Sequence, residues 1–142
     1  MTAPLPAIIR RIPKPWAAIL FLLVLAAALL LFAGRRVEGL RAGWLLALDP
    51  DAYGHISNFS IACVLCAAIG YAWMMLGVRA RTVAWLCVAI AAVNLVYETW
   101  IPLLNTRDPM DAAYGLAGVA LAALLLAVIG RYGMVDAPAT AS

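Results

Sequence analysis

The chain has 142 residues, of which 67% are hydrophobic and only 12% charged, against roughly 25% charged in an ordinary globular domain. That composition excludes a water-soluble fold. The net charge of +3 does not signal nucleic-acid binding, because the basic residues stand at the ends of apolar runs, as topology-setting residues do.

Apolar runs of about 18 residues or more predict membrane-spanning helices. Four occur, at 15–34, 50–77, 82–104 and 109–130. The expected fold is an all-α membrane protein, a single transmembrane domain over residues 1–142. Arg10, Arg11 and Lys14 before the first run, Arg79 and Arg81 in the second connection, and Arg131 after the fourth fall on one side. Arg35, Arg36, Arg41 and Arg107 fall on the other, offset by Glu38, Asp49, Asp51, Asp108 and Asp111. The excess of positive residues on the first side predicts that both termini are cytoplasmic.

The first run carries no polar side chain beyond the Trp16 ring nitrogen. A basic start before an apolar stretch is also the form of a signal peptide. The length of the run, and "LLLFAG" without a small-x-small site, read it as a retained anchor. Next comes "RRVEGLRAGWLLALD", where Val37, Leu40, Trp44 and Leu48 repeat at helical spacing opposite Arg36, Glu38 and Arg41. Two readings fit, a short helix lying in the membrane surface and a loop packed on the bundle.

The second span opens on "DPDAYGHISN" and the fourth on "DPMDAAYG". In both, aspartate is a suitable N-cap and proline a suitable first helical residue, since proline lacks an amide hydrogen that would be unpaired there. Asp49 and Asp108 are the expected caps. "VRAR" is short enough to force an antiparallel hairpin between spans two and three. In the fourth span Ala112, Ala113, Gly115, Ala117, Gly118 and Ala122 allow close backbone approach. Cys63, Cys66 and Cys87 all lie inside spans. "CVLC" has the spacing of a redox pair, but at that depth cysteine acts as a small packing residue.

Asp51, His55 and Asn58 stand at i, i+4 and i+7, which predicts one stripe over two turns, about 11 Å of the second helix. Asn94 and Glu98 are likewise i, i+4 on the third, with Glu98 roughly 9 Å from its outer end. Arg107 and Asp111 stand at the mouth of the fourth. An ionisable group in a span costs several kcal/mol unless paired or wetted, so this level is the candidate functional site. Glu98 has two readings, a structural bridge to Arg107 or His55 and a carboxylate lining an outward-facing pocket. For His55, hydrogen bonding leads over acid–base work, and one histidine with scattered carboxylates is thin provision for a metal. No metal and no cofactor are expected. Tyr53, Tyr97, Trp100 and Tyr114 read as an aromatic belt at the interface. No nucleophile elbow, phosphate-cradling glycine loop or paired zinc motif is present.

The order Asp51-x-x-x-His55, Glu98, Arg107, Asp111 and Gly118 resembles the VanZ-like family of small bacterial membrane proteins over about residues 51 to 118. That family's pattern is D-K-x-x-H, E-x-x-Q, a turn with P and R, then D-x-x-x-N-x-x-G. Here Ala52 replaces the lysine, Ile101 the glutamine and Gly115 the asparagine. The resemblance implies a multi-pass cell-envelope protein of the bacterial inner membrane, in a family whose founding member is associated with resistance to a lipoglycopeptide antibiotic. It also implies a ligand that is an envelope lipid, glycolipid or cell-wall precursor. Asp51, His55, Asn58, Asn94, Glu98, Arg107 and Asp111 form the expected polar cluster, binding a lipid rather than turning it over. Two rivals stand beside this reading. One is an accessory subunit of a larger membrane complex or a homo-oligomer. The other is a lipid-modifying enzyme or proton pathway using His55 and Glu98.

Overall fold

In a computed structural model of the chain, residues 8–100 and 108–138 are described. In chain order the elements are β1 (Arg11–Pro13), α1 (Pro15–Gly34), α2 (Gly43–Leu48), α3 (Ala52–Met75), α4 (Ala80–Trp100), α5 (Pro109–Val128) and β2 (Met134–Asp136). A single 3₁₀ turn, Glu38–Leu40, precedes α2, and α5 runs on into a π-helical turn, Ile129–Gly133. Among the described residues, four helices are long and apolar enough to cross a membrane, as expected. Of the expected third span, residues 101–104 lie outside the described residues.

α3 is the central helix, packing against α1, α4 and α5. Its largest partner is α5, and small residues make that closeness possible. Gly118 lies against the backbone of Phe59, and Gly70 against the Leu126 side chain. α1 joins through Ala17, Phe21 and Ala28, with the Phe21 ring stacked on Tyr71 at 4.0 Å. α4 is the most exposed helix, burying a stripe of Val83, Cys87 and Glu98. Cys63, Cys66 and Cys87 are buried and free. The sulfur nearest Cys66 across the helices belongs to Cys87, at 3.0 Å.

Three expectations are corrected. The second helix starts at Ala52, and Asp49 is not its cap. The Ala52 amide donates to the Asp49 carbonyl at 3.1 Å, and Asp51 has φ −94 and ψ 2. "DPDA" is therefore a type I turn with aspartate first and proline second, the residues that turn favours. The Asp49 carboxylate accepts the Asp51 amide, 3.0 Å, within that turn. By contrast Asp108 does cap α5, accepting the Met110 amide at 2.9 Å with Pro109 behind it.

The second correction concerns residues 35–48, where, of the two readings, the single surface helix is not what forms. Arg41 and Ala42 are extended between the 3₁₀ turn and α2. The Ala42 amide donates to the Tyr53 hydroxyl at 2.7 Å, and Arg41 Nε donates to the Gly34 carbonyl at 3.1 Å. These bonds replace the helical ones that would otherwise run through this point. Tyr53 itself is 6% exposed, so it is a packing post for this segment and not a belt residue.

The third is a two-stranded antiparallel ribbon, β1 with β2, pairing Ile12 with Val135. The Arg10 amide donates to the Met75 carbonyl at 2.9 Å, which sets the ribbon against the end of α3. Arg10, Arg11, Lys14, Arg79, Arg81 and Arg131 thus share one end of the bundle, the basic end. Asp49, Asp108 and Asp111 share the other.

Candidate functional site

The acidic end is built where α3 and α5 begin and α4 ends. His55 lies in the first turn of α3 and Asp111 in the first turn of α5, three residues after the cap Asp108 and so on the same face. His55 Nδ1 is 2.8 Å from Asp111 Oδ1 and 3.6 Å from Asp108 Oδ2. A carboxylate only accepts, so against Asp111 in its ionised form Nδ1 is the donor. Both carboxylates sit at the N-terminus of α5, where the helix dipole favours negative charge.

One turn deeper, Asn58 Nδ2 donates to Glu98 Oε1 at 3.2 Å. Glu98 is 7% exposed and Asp111 6%. Two buried carboxylates from different helices thus meet His55 and Asn58 on adjoining turns of α3. Asn94 Nδ2 donates to the Ala112 carbonyl at 3.1 Å, and its amide lies over Gly115, where any Cβ would collide with it. Asn94 therefore fastens α4 to α5 rather than facing the cluster with its donor.

The expected residues divide as follows. His55, Asn58, Glu98 and Asp111 are brought together, and Asn94 packs beside them. Asp51 is not; it precedes the first turn of α3, is exposed, and makes no side-chain cap bond. Arg107 lies outside the described residues, as does the Trp100 side chain. Glu98 meets Asn58 instead of His55.

Sequence reasoning missed Asp108 as a site residue, as well as Asp49, Tyr114, Arg35 and Ser57. Asp108 and Tyr114 flank Asp111 at i−3 and i+3, a spacing that signals one helix face. The Tyr114 hydroxyl donates to Asp49 Oδ2 at 2.6 Å, and its ring lies 5.5 Å from that of His55. The Tyr114 hydroxyl, then the Asp51 amide, hold the Asp49 carboxyl below the usual aspartate range, and the nearby His55 adds to that. Arg35 Nη1 donates to the buried Ser57 hydroxyl at 2.6 Å. No spacing rule links Arg35 to Ser57, because they meet across two helices.

Chemically, the cluster offers carboxylate oxygens, one amide and one imidazole, a set suited to hydroxyl and ammonium donors. His55, Asp108 and Asp111 present donor atoms within 4.8 Å of one another, so they could also close on a divalent cation. Beside the cluster is an apolar cleft of about 380 Å³ whose walls include Leu31, Trp44, Phe59, Met110 and Tyr114. Tyr114 belongs to both. It lines the cleft while its hydroxyl bonds Asp49 and its ring stands 5.5 Å from that of His55.

No protein-family model, curated protein or solved structure shows a match to the chain. The site therefore rests on its own geometry.

Proposed function

We propose that the chain is a VanZ-like protein of the bacterial inner membrane with both termini cytoplasmic. On this reading its acidic end opens outward and binds the polar head of an envelope lipid, glycolipid or lipid-linked cell-wall precursor. The observation that carries the reading is the junction at Tyr114, where a buried polar cluster adjoins an apolar cleft. An amphiphile needs both, in contact, near one end of the bundle. The basic residues gathered at the ribbon end support that orientation. The surplus of carboxylates among the described residues favours a head rich in hydroxyl or ammonium groups, with Arg35 at the same end available to a phosphate.

Binding suits this site better than turnover. The His55–Asp111 pair is a possible base, but the described residues add no developed set of donors for a transition-state charge. A proton path is not favoured either, because the cluster gives way below Asn58 and Glu98 to a core of Ala62, Cys63, Cys66, Cys87 and Val119.

Native mass spectrometry of the gently purified protein tests the proposal. A co-purifying envelope lipid is expected, with its retention reduced at least several-fold in His55→Ala and Asp111→Ala but little changed in Asp51→Ala. A stoichiometric protein partner without lipid would replace this reading with that of an accessory subunit.

A further inference from the structure

A second cleft lies at the opposite end of the bundle, independent of the acidic cluster. It has a volume of about 730 Å³, within the roughly 300–1,000 Å³ of small-molecule sites. α4 and α5 form most of its walls. Ala80, Ala84, Ala123, Ala127 and Gly130 create it by what they lack, since none carries a side chain beyond Cβ. Val88 and Ala123 line its deeper part, and Arg81 and Arg131 stand at its mouth. From Arg81 to Val88 the helix rises about 10 Å, so the cleft runs well into the apolar layer.

The two arginines differ from the basic residue beside them. Arg11 is 3.9 Å from Asp136. Among the described residues no acidic side chain lies within ion-pair distance of Arg81 or Arg131. Arg131 instead holds its guanidinium 5.3 Å from the centroid of the Tyr132 ring. Two unneutralised cations over an apolar furrow complement an anionic head joined to an acyl chain. Such basic pockets between membrane helices suit anionic lipid heads, and guanidinium suits phosphate geometry.

We infer that this cleft is a binding site for an anionic phospholipid of the leaflet at the basic end. One acyl chain lies along Ala84, Val88, Ala123 and Ala127, and the phosphate lies between Arg81 and Arg131. The site stands whether or not the acidic end binds a ligand, since it shares no residue with that cluster.

The test uses the full chain in dodecyl maltoside. Native mass spectrometry compares retention of palmitoyl-oleoyl phosphatidylglycerol with that of phosphatidylcholine bearing the same chains. Phosphatidylglycerol is expected to be retained in preference. Arg81→Ala and Arg131→Ala should each weaken that retention roughly five-fold, the value of one basic residue near an anionic head. Arg79→Ala, at the same end but outside the cleft, should leave it unchanged. Filling the furrow with Ala84→Leu and Ala127→Leu should weaken retention of the lipid while both arginines remain. Equal retention of the two lipids would overturn the inference, as would an effect of Arg79→Ala equal to that of Arg81→Ala. A lipid-free dimer disrupted by the filling substitutions would assign the cleft to a second copy of the chain. If the filled variant does not fold, the arginine series alone decides.

Discussion

Gly115 and Gly118, one turn apart on α5, meet obstacles of different kinds. A Cβ at 115 would run into the Asn94 side chain, whereas a Cβ at 118 would run into the backbone carbonyl of Phe59. A side chain can be shortened and a backbone cannot. Gly115→Ala is expected to destabilise the bundle by about 1–3 kcal/mol through overpacking, and adding Asn94→Ala should restore part of the loss. Gly118→Ala should cost at least as much and gain nothing from Phe59→Ala. Thermal unfolding in detergent, taken as a double-mutant cycle, checks both, and equal rescue at the two positions would contradict the packing described. Spacing made the His55 and Asn58 stripe legible, because both lie inside α3. It failed for Asp51, where the φ and ψ of a turn interrupt the helical period. Only the folded chain reveals that Asn94 delivers its amide to the space over Gly115 from another helix.

At the level of elements, the turn joining α3 and α4 depends on Gly77, the one described residue with a positive φ, 77°. Gly77→Ala should cost about 1–2 kcal/mol through left-handed backbone strain, and Gly77→Asn less, because asparagine tolerates that region better. Gly39→Ala serves as the control, with no atom within 4 Å of its added methyl. A thermal midpoint lowered in the order alanine, asparagine, control is expected, and an equal effect of all three would refute the strain. The long helices were legible because their apolar runs far exceed any soluble element. The ribbon was not, because three-residue strands leave no alternation to read and their pairing is non-local. The segment 35–48 was only half legible: its apolar spacing is helical, but hydrogen bonds to Tyr53 and Gly34 break it in the middle.

For the whole molecule, the ribbon and the Arg10–Met75 bond require residues 10–14, 76–79 and 134–137 to face one side of any membrane the bundle crosses. Cysteine substitution checks this, since the native cysteines are buried. Arg79→Cys and Ala137→Cys should react with a membrane-impermeant maleimide from the same side, and Gly39→Cys from the other. Under the proposed orientation the first pair reacts only in inside-out vesicles. Reaction of Arg79→Cys and Ala137→Cys from opposite sides would break the four-helix arrangement. Reaction of both from the outside would invert the orientation alone. The division of charged residues between the two ends was legible from sequence. Their exact partners were not, because His55 with Asp111 and Asn58 with Glu98 join helices whose relative rotation no linear spacing records.

The ribbon also sets a timetable for biogenesis. Ile12 is made before all four long helices and Val135 after them, yet they are paired. During elongation β1 has no partner strand, and α1 can settle against α3 well before its own leading segment is secured. A nascent chain halted before Met134 would therefore carry all four long helices without that closure.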